Sequence, residues 1–413
     1  MGMSVVDVMV VGQLAPKELA AQALGWAPIN VLLVSGIGLL YGVQVLAARA
    51  VGAGNLEEAG GAWRRGLLVS LASGALTMLL VWLFSAPLLR AFGIAPGLVE
   101  HAARVTHILA LSVPTYLVYV GSGFFLEAIQ RPLASTAAMW SANLVNLVLN
   151  LLLVPRFGAE GSAWCTVAAR LFLAIVIVIW IWRLPDARRY GVRGSSRAPT
   201  WTALLRIGAA SLVSNIAESG AFSGMTLLAG RVGPDAVASY QILLNLMAIV
   251  FMLALGLSTA TAVLTSEAVG RQSASEADRA TFTGLALNST LMVLVGLGLL
   301  AFAQPISHAY TANLTLAGTV SGLIWLVSLT LLPDGGQVVA AAALRARSDN
   351  WFPSASHLLA YAALMPTLGY VFVEIQRRSV PGLMLAIFWA SVLSFSVLCA
   401  RLYWLSSRAK AIP

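Results

Sequence analysis

The sequence predicts an all-α polytopic membrane protein: twelve transmembrane helices in two six-helix lobes, related by a pseudo-two-fold along the membrane normal. Three observations predict it. The 413 residues are 59% hydrophobic and 10% charged, with mean hydropathy +0.86, whereas a soluble domain carries about 25% charged residues. Apolar windows of about 20 residues, enough to cross a ~30 Å hydrocarbon core, recur along the chain. The two halves repeat each other at a fixed offset. A soluble core would need polar faces on its helices, and almost none are present. The net charge of +9 does not point to nucleic acid, because the basic residues cluster between apolar spans as cytoplasmic loops do. Cys165 and Cys399 lie inside apolar spans and read as packed thiols, not a disulfide framework. No basic n-region precedes the first apolar stretch, so no cleavable signal peptide is expected.

The first apolar stretch is short, residues 1–14, with Asp7 inside it. Residues 26–48, 66–89, 105–129, 134–154 and 161–182 complete a first set of six. A polar segment with five arginines, residues 183–200, follows and reads as a cytoplasmic linker. Residues 203–230, 236–265, 282–303, 316–344, 352–373 and 381–405 form the second set. The expected domains are therefore an N-terminal lobe (1–182), the linker (183–200), a C-terminal lobe (201–405) and a short cytoplasmic tail (406–413).

Shifting the first half by 218 residues superposes Gly12 on Gly230, Pro16 on Pro234, Gly38 on Gly256, Glu58 on Glu276 and Pro87 on Pro305 without a gap. An even number of spans per half gives both halves one orientation, as in transporters with a central site. The offset also predicts that the first span begins about 18 residues upstream of Met1, because 14 residues cannot cross a ~30 Å core. Counting Lys and Arg with the N-terminus inside gives 17 inside and 7 outside. Both termini are thus expected in the cytoplasm.

Three acids stand in apolar spans, where a carboxylate costs several kcal/mol to bury unless it is paired, protonated or wetted. Asp334 follows Pro333 and precedes Gly335-Gly336, so a helix break is expected there. An acid at a break within a membrane is a candidate for handling a cation or proton, or caps the broken helix. Glu218 shares a helical face with Ser211, Ser214 and Asn215, a stripe that interhelical hydrogen bonding explains well for Ser and poorly for Glu. Asp7 is the third. Asn143, Asn146 and Asn150 line the fifth span, and Tyr240, Gln241 and Asn245 lie early in the eighth. Gln337 is one turn after Asp334, and Gln44 is late in the second span. Singly these read as helix packing; as a set they suggest a polar cavity between the lobes. Glu127, near the end of the fourth span, reads as structural. Arg170, inside the sixth, is expected to pair with an acid or to reach backbone carbonyls.

Residues 3–24, 48–67, 143–164 and 240–263 resemble segments of the multidrug and toxic compound extrusion (MATE) family. The resemblance covers essentially the whole chain. Glu218 matches the family's seventh-span acid, Asp334 with Gln337 its tenth, and Asp7 its first. Having all three resembles the NorM-type branch more than the DinF-type. Arg347-Ser348-Asp349-Asn350 only approximates the usual Gly-Asp-Thr motif, and Glu127 stands where an Arg is usual.

The resemblance implies a Na⁺- or H⁺-coupled antiporter, exporting small, cationic organic compounds by alternating access. Asp334, Glu218 and Asp7 would couple the ion, and Asp334 and Glu218 would hold Na⁺ if that is the ion. Gln337, Asn215, Gln241, Asn245, Tyr240, Asn146 and Asn150 would line the cavity. No catalytic residue and no cofactor beyond the coupling ion are expected. A multi-pass monomer in the bacterial inner membrane, without a nucleic-acid partner, is expected. A lipid-linked oligosaccharide flippase of the same superfamily would need bases in the cavity, and only Arg170 lies well inside a span. A membrane-embedded enzyme would need paired acids for Mg²⁺ or a His or Cys nucleophile. No such pair occurs, and His101, His107, His308 and His357 are scattered.

Overall fold

The computed structural model describes Met3, Asp7, Val10, Val11 and residues 16–91, 96–193, 197–311 and 313–410. The span expected over residues 1–14 therefore lies mostly outside the described residues; the four described there are helical. Among the described residues there is no strand. The helices are α1 (Pro16–Gly52), α2 (Leu56–Ala91), α3 (Pro96–Ala110), α4 (Val113–Ala128), α5 (Pro132–Trp182) and α6 (Trp201–Val232). They continue as α7 (Pro234–Gly270), α8 (Ala274–Ala301), α9 (Ala303–Tyr310), α10 (Leu314–Ala346), α11 (Trp351–Ile375) and α12 (Ser379–Lys410).

By length and apolarity, eight described helices can cross a membrane, or nine if the bent pair α3–α4 is one span. Helix α5 has 51 residues and breaks at Gly158 (φ 56°, ψ −139°), so it supplies the fifth and sixth spans. Helix α6 is long enough at 32 residues but carries the Ser/Asn/Glu stripe. The fourth span, expected over 105–129, is bent by 40° between Ala110 and Val113. Pro114 opens α4 there, and a proline ring suits the first turn of a helix and not its interior.

The local starts follow from sequence. Asn313 Oδ1 accepts from the Thr315 and Leu316 amides at 3.0 and 3.2 Å and caps α10. Ser273 Oγ accepts from the Glu276 amide at 3.4 Å at the start of α8, half of a capping box. Prolines open α5 and α7.

The repeat is conformational as well as sequential. At the offset of 218, α1 maps onto α7 end for end, both 37 residues long. The starts of α2 and α3 map onto those of α8 and α10, and the end of α4 onto that of α10. Left-handed turn residues recur too: Gly54 (φ 77°) with Gln272 (58°), and Gln130 (58°) with Ser348 (72°). For Gln and Ser this conformation is uncommon, so the matched turns are built features of each half.

The chain forms two compact units, residues 1–212 and 213–413, and the boundary falls within α6. In the first unit, Gly42 and Gly208 let α1 and α6 cross closely: a Cβ on Gly42 would lie 2.5 Å from the Leu204 carbonyl oxygen, and one on Gly208 would strike that of Leu39. The linker packs on α2 through Gly60 N–H to the Tyr190 carbonyl (2.9 Å), Arg64 Nη2 to the Arg197 carbonyl (3.1 Å) and Arg65 to the Pro199 carbonyl. In the second unit, α10 is the central helix: from Thr330 to Ala346 every residue but Leu332 and Val338 is buried. Its neighbours are α7, α8 and α12.

The break expected at Asp334 is absent. Helix α10 runs from Leu314 to Ala346 through Pro333. Neighbouring side chains explain Gly335 and Gly336. A Cβ on Gly335 would meet Ala254, Asn288 and Met292 at 3.1–3.2 Å, and one on Gly336 would lie 2.5 Å from the Phe395 ring. Here glycine lets helices approach closely, as small residues do in membrane bundles.

Candidate functional site

Two acid-centred clusters form, one in each unit. In the second, α10 presents Asp334, only 6% exposed, to α11 and α12. Ser391 Oγ donates to Asp334 Oδ1 at 3.1 Å and Tyr361 OH to the same oxygen at 3.5 Å; the two hydroxyls are 3.3 Å apart. One turn on, buried Gln337 donates through Nε2 to Glu218 Oε1 at 3.5 Å, while its own Oε1 has no hydrogen-bond partner. Asp334 and Glu218 are close enough to repel each other when both are ionised, and Arg345 is close enough to Glu218 to offset part of that charge. Arg345 itself donates through Nη2 to Ser214 Oγ at 2.6 Å, and Ser214 donates to Ser354 at 3.2 Å. The His357 ring meets Tyr361 edge-on, centroids 5.7 Å apart.

In the first unit, Asp7 is buried between the two halves of α5. Asn150 Nδ2 donates to its Oδ1 at 2.9 Å and Thr166 Oγ1 to its Oδ2 at 2.8 Å; Asn146 also faces the carboxylate. None of the three acids lies within 4 Å of a Lys, Arg or His nitrogen among the described residues. Their hydrogen-bond partners are neutral.

The structure thus brings Glu218 to Gln337, one turn along α10 from Asp334, and Asp7 to Asn150, with Asn146 facing it. It does not bring the remaining candidates into these contacts. Tyr240 is buried in the apolar core of the second unit with its hydroxyl unpartnered. Gln241 is exposed and reaches Thr226 at 3.5 Å; Asn245 is exposed and accepts from Tyr310 OH at 2.8 Å. Asn215 is half-buried on the face of α6, where its carbonyl accepts from Ser219 Oγ at 2.6 Å. Gln44 donates to Glu127 at 2.7 Å.

Arg170 departs from expectation. Among the described residues it forms no ion pair within 4 Å; its guanidinium stacks on Trp26 (5.0 Å) and Tyr116 (4.3 Å), and its Nη1 donates to Ser112 Oγ at 3.0 Å. Two aromatic faces and a hydroxyl take the place of the acid.

Sequence reasoning missed Ser391, Tyr361 and Thr166. The one available signal was the spacing of His357 and Tyr361, four residues apart in an otherwise apolar span and hence on one face.

Two carboxylates, two hydroxyls and the unpartnered oxygen of Gln337 make an oxygen-rich, largely buried cluster. Hard cations are held by oxygen ligands of this kind, and a proton is held by a carboxylate.

A family model, MatE, matches residues 1–152 and 210–371, one stretch in each half. The chain belongs to the MatE family. A probable multidrug resistance protein NorM of Caulobacter vibrioides is 38% identical over 416 residues, covering 99% of this chain and 88% of that protein. Another, of Deinococcus radiodurans, is 28% identical over 397 residues, covering 92% and 86%. A crystal structure of MATE in the bent conformation aligns with TM-score 0.91 at 19% identity, covering 99% of this chain and 93% of that one. The eukaryotic MATE transporter AtDTX14 aligns at 0.88 and 17%, covering 97% and 91%. The MatE chain therefore has the twelve-helix, two-lobed fold of these transporters. It is a membrane transporter, not an enzyme, and its relatives do not favour the flippase reading.

Proposed function

We propose that this MatE protein is a cation-coupled antiporter that exports small organic cations, drugs or toxic metabolites, in exchange for Na⁺ or H⁺. The observation that carries the reading is Asp334: a buried carboxylate whose hydrogen-bond partners are hydroxyls, beside a second acid and the unpartnered oxygen of Gln337. Uncompensated buried charge is costly, so the cluster favours a cation or proton. Asp334 and Glu218 form the main coupling site and Asp7 a further one. A coupling ion and a cationic substrate that each satisfy this charge lower each other's affinity, and that mutual exclusion is the thermodynamic basis of exchange. The multidrug-resistance names of the bacterial relatives support small-molecule substrates and an inner-membrane location. Both termini in the cytoplasm, supported by the Lys/Arg distribution, and a monomeric state are part of the same proposal.

The test is efflux from proteoliposomes with Na⁺ and proton gradients imposed separately. One gradient drives wild-type efflux. Asp334→Asn and Glu218→Gln, which keep shape and remove charge, abolish it at equal protein level. Gradient-driven efflux surviving in both variants would show the carboxylates to be packing groups.

A further inference from the structure

We propose that a groove at the two ends of α5 binds one anionic phospholipid, its phosphate at Arg183 and Arg131 and an acyl chain along Val176, Ile179 and Trp180. The groove has a volume of about 970 Å³. Residues Gln130–Ala134 form one wall and Val176–Pro185 the other. Each wall combines apolar and basic side chains. Leu133 is 81% exposed and Trp180 53% exposed; on a membrane-spanning helix such side chains face lipid. Tryptophan also prefers the headgroup boundary, where Trp180 and Trp182 end the span.

Beside these apolar groups each wall carries one arginine, Arg131 or Arg183. Arg131, Arg183, Arg188 and Arg189 stand against one acid, Asp186. Arg131 meets Asp186 through Nη2 at 2.9 Å, which engages one nitrogen of a group with five N–H donors. Arg183 is exposed at the mouth of the groove. Helix α5 starts there without a side-chain cap, so its first amides add to the attraction for an anion. Charge and apolar wall together fit a headgroup phosphate joined to an acyl chain; free phosphate would use only the arginines. Basic pockets between transmembrane helices at the headgroup level hold anionic lipids in this way. The proposal needs only that the chain sits in a bilayer, so it does not depend on the coupling reading.

The probe is a photoactivatable phosphatidylglycerol added to the full chain in phosphatidylcholine nanodiscs. Crosslinks are expected on peptides containing residues 130–134 and 176–185, suppressed by unlabelled phosphatidylglycerol and not by phosphatidylcholine. Native mass spectrometry then counts retained lipid. Arg183→Gln should lower phosphatidylglycerol retention about fivefold, the weight of one basic residue near a membrane surface. Arg90→Gln, an exposed arginine at the end of α2, should leave it unchanged. Trp180→Leu should weaken both lipids while keeping the preference. Crosslinks mapping elsewhere, equal retention of the two lipids by wild type, or an unaltered preference in Arg183→Gln overturns the proposal. So does complete displacement by millimolar inorganic phosphate, which would mark an anion site only.

Discussion

Gly336→Ala separates two roles for the glycines beside Asp334, space and bend. A Cβ at Gly336 would lie 2.5 Å from Phe395 Cε2, with Cδ2 and Cζ at 2.8 and 2.9 Å. Carbon atoms prefer about 3.5–4.0 Å, so the ring must retreat by about 1 Å. Phe395 packs against the cluster that includes Leu344 and Leu398, and forcing such a contact costs about 1–3 kcal/mol. Ser391 sits one turn before Phe395 and donates to Asp334 at 3.1 Å; displacing α12 lengthens that bond too. Gly336→Ala should therefore melt lower in detergent, read by size-exclusion fluorescence after heating. It should also show reduced efflux per molecule inserted. Phe395→Leu removes the obstructing ring and should rescue both, giving a coupling energy of about 1 kcal/mol or more in the double-mutant cycle. Wild-type melting of Gly336→Ala would refute the close approach. An unrescued double mutant would return the glycine to a role in backbone freedom.

Arg170→Ala should lower the amount of folded protein while leaving efflux per folded molecule near wild type. It empties an aromatic cage whose two cation–π contacts contribute about 0.5–2 kcal/mol each. Arg170→Lys should recover only part of the loss, because an ammonium lacks the flat face that stacks on Trp26 and Tyr116; western blotting of membranes and a transport assay separate the two readouts. For topology, Ser195→Cys should be labelled by an impermeant thiol reagent only after the membrane is opened, and Ser379→Cys in intact cells, both in a background lacking Cys165 and Cys399. Labelling of Ser195→Cys from outside inverts the orientation.

The spans and the acids were legible because each breaks a strong local pattern. A run of about 20 apolar residues has few readings, and a carboxylate inside one stands out. Their partners were not legible. Ser391, Tyr361 and Thr166 are neutral residues of a kind common in membrane helices, and only the packing of α10, α11 and α12, or of the halves of α5, selects them. Pro333-Asp334-Gly335-Gly336 misled for the same reason. Its composition reads as a break, but Phe395 and Asn288 occupy the space that the missing side chains leave. The π-helical turns of α11 over Leu358–Leu364 and Val371–Ile375 depend on hydrogen-bond register, which residue type does not encode. Gln241 and Asn245, expected to line a cavity, are exposed and hydrogen-bond Thr226 and Tyr310.

The two halves share a backbone frame and not a chemistry. At the offset of 218, Asp334 corresponds to Tyr116, Gln337 to Tyr119 and Phe388 to Arg170; Arg345 corresponds to Glu127, and Asp349 to Arg131. Arg131–Asp186 follows α4, and at the equivalent position after α10 the Asp349–Arg401 pair has its charges reversed. The position that bears the acid in the second half carries, in the first, a tyrosine under an arginine. Around Asp7 there is one acid with Arg170 within electrostatic reach. Around Asp334 there are two acids, with Arg345 close to one of them. With the carboxylates ionised, the second cluster sets two negative charges against Arg345, while the first sets one against the more distant Arg170. On the proposed coupling reading, the exchangeable cation is held mainly in the second half. Loss of Asp334 should then uncouple transport more completely than loss of Asp7, although both are buried acids with neutral hydrogen-bond partners.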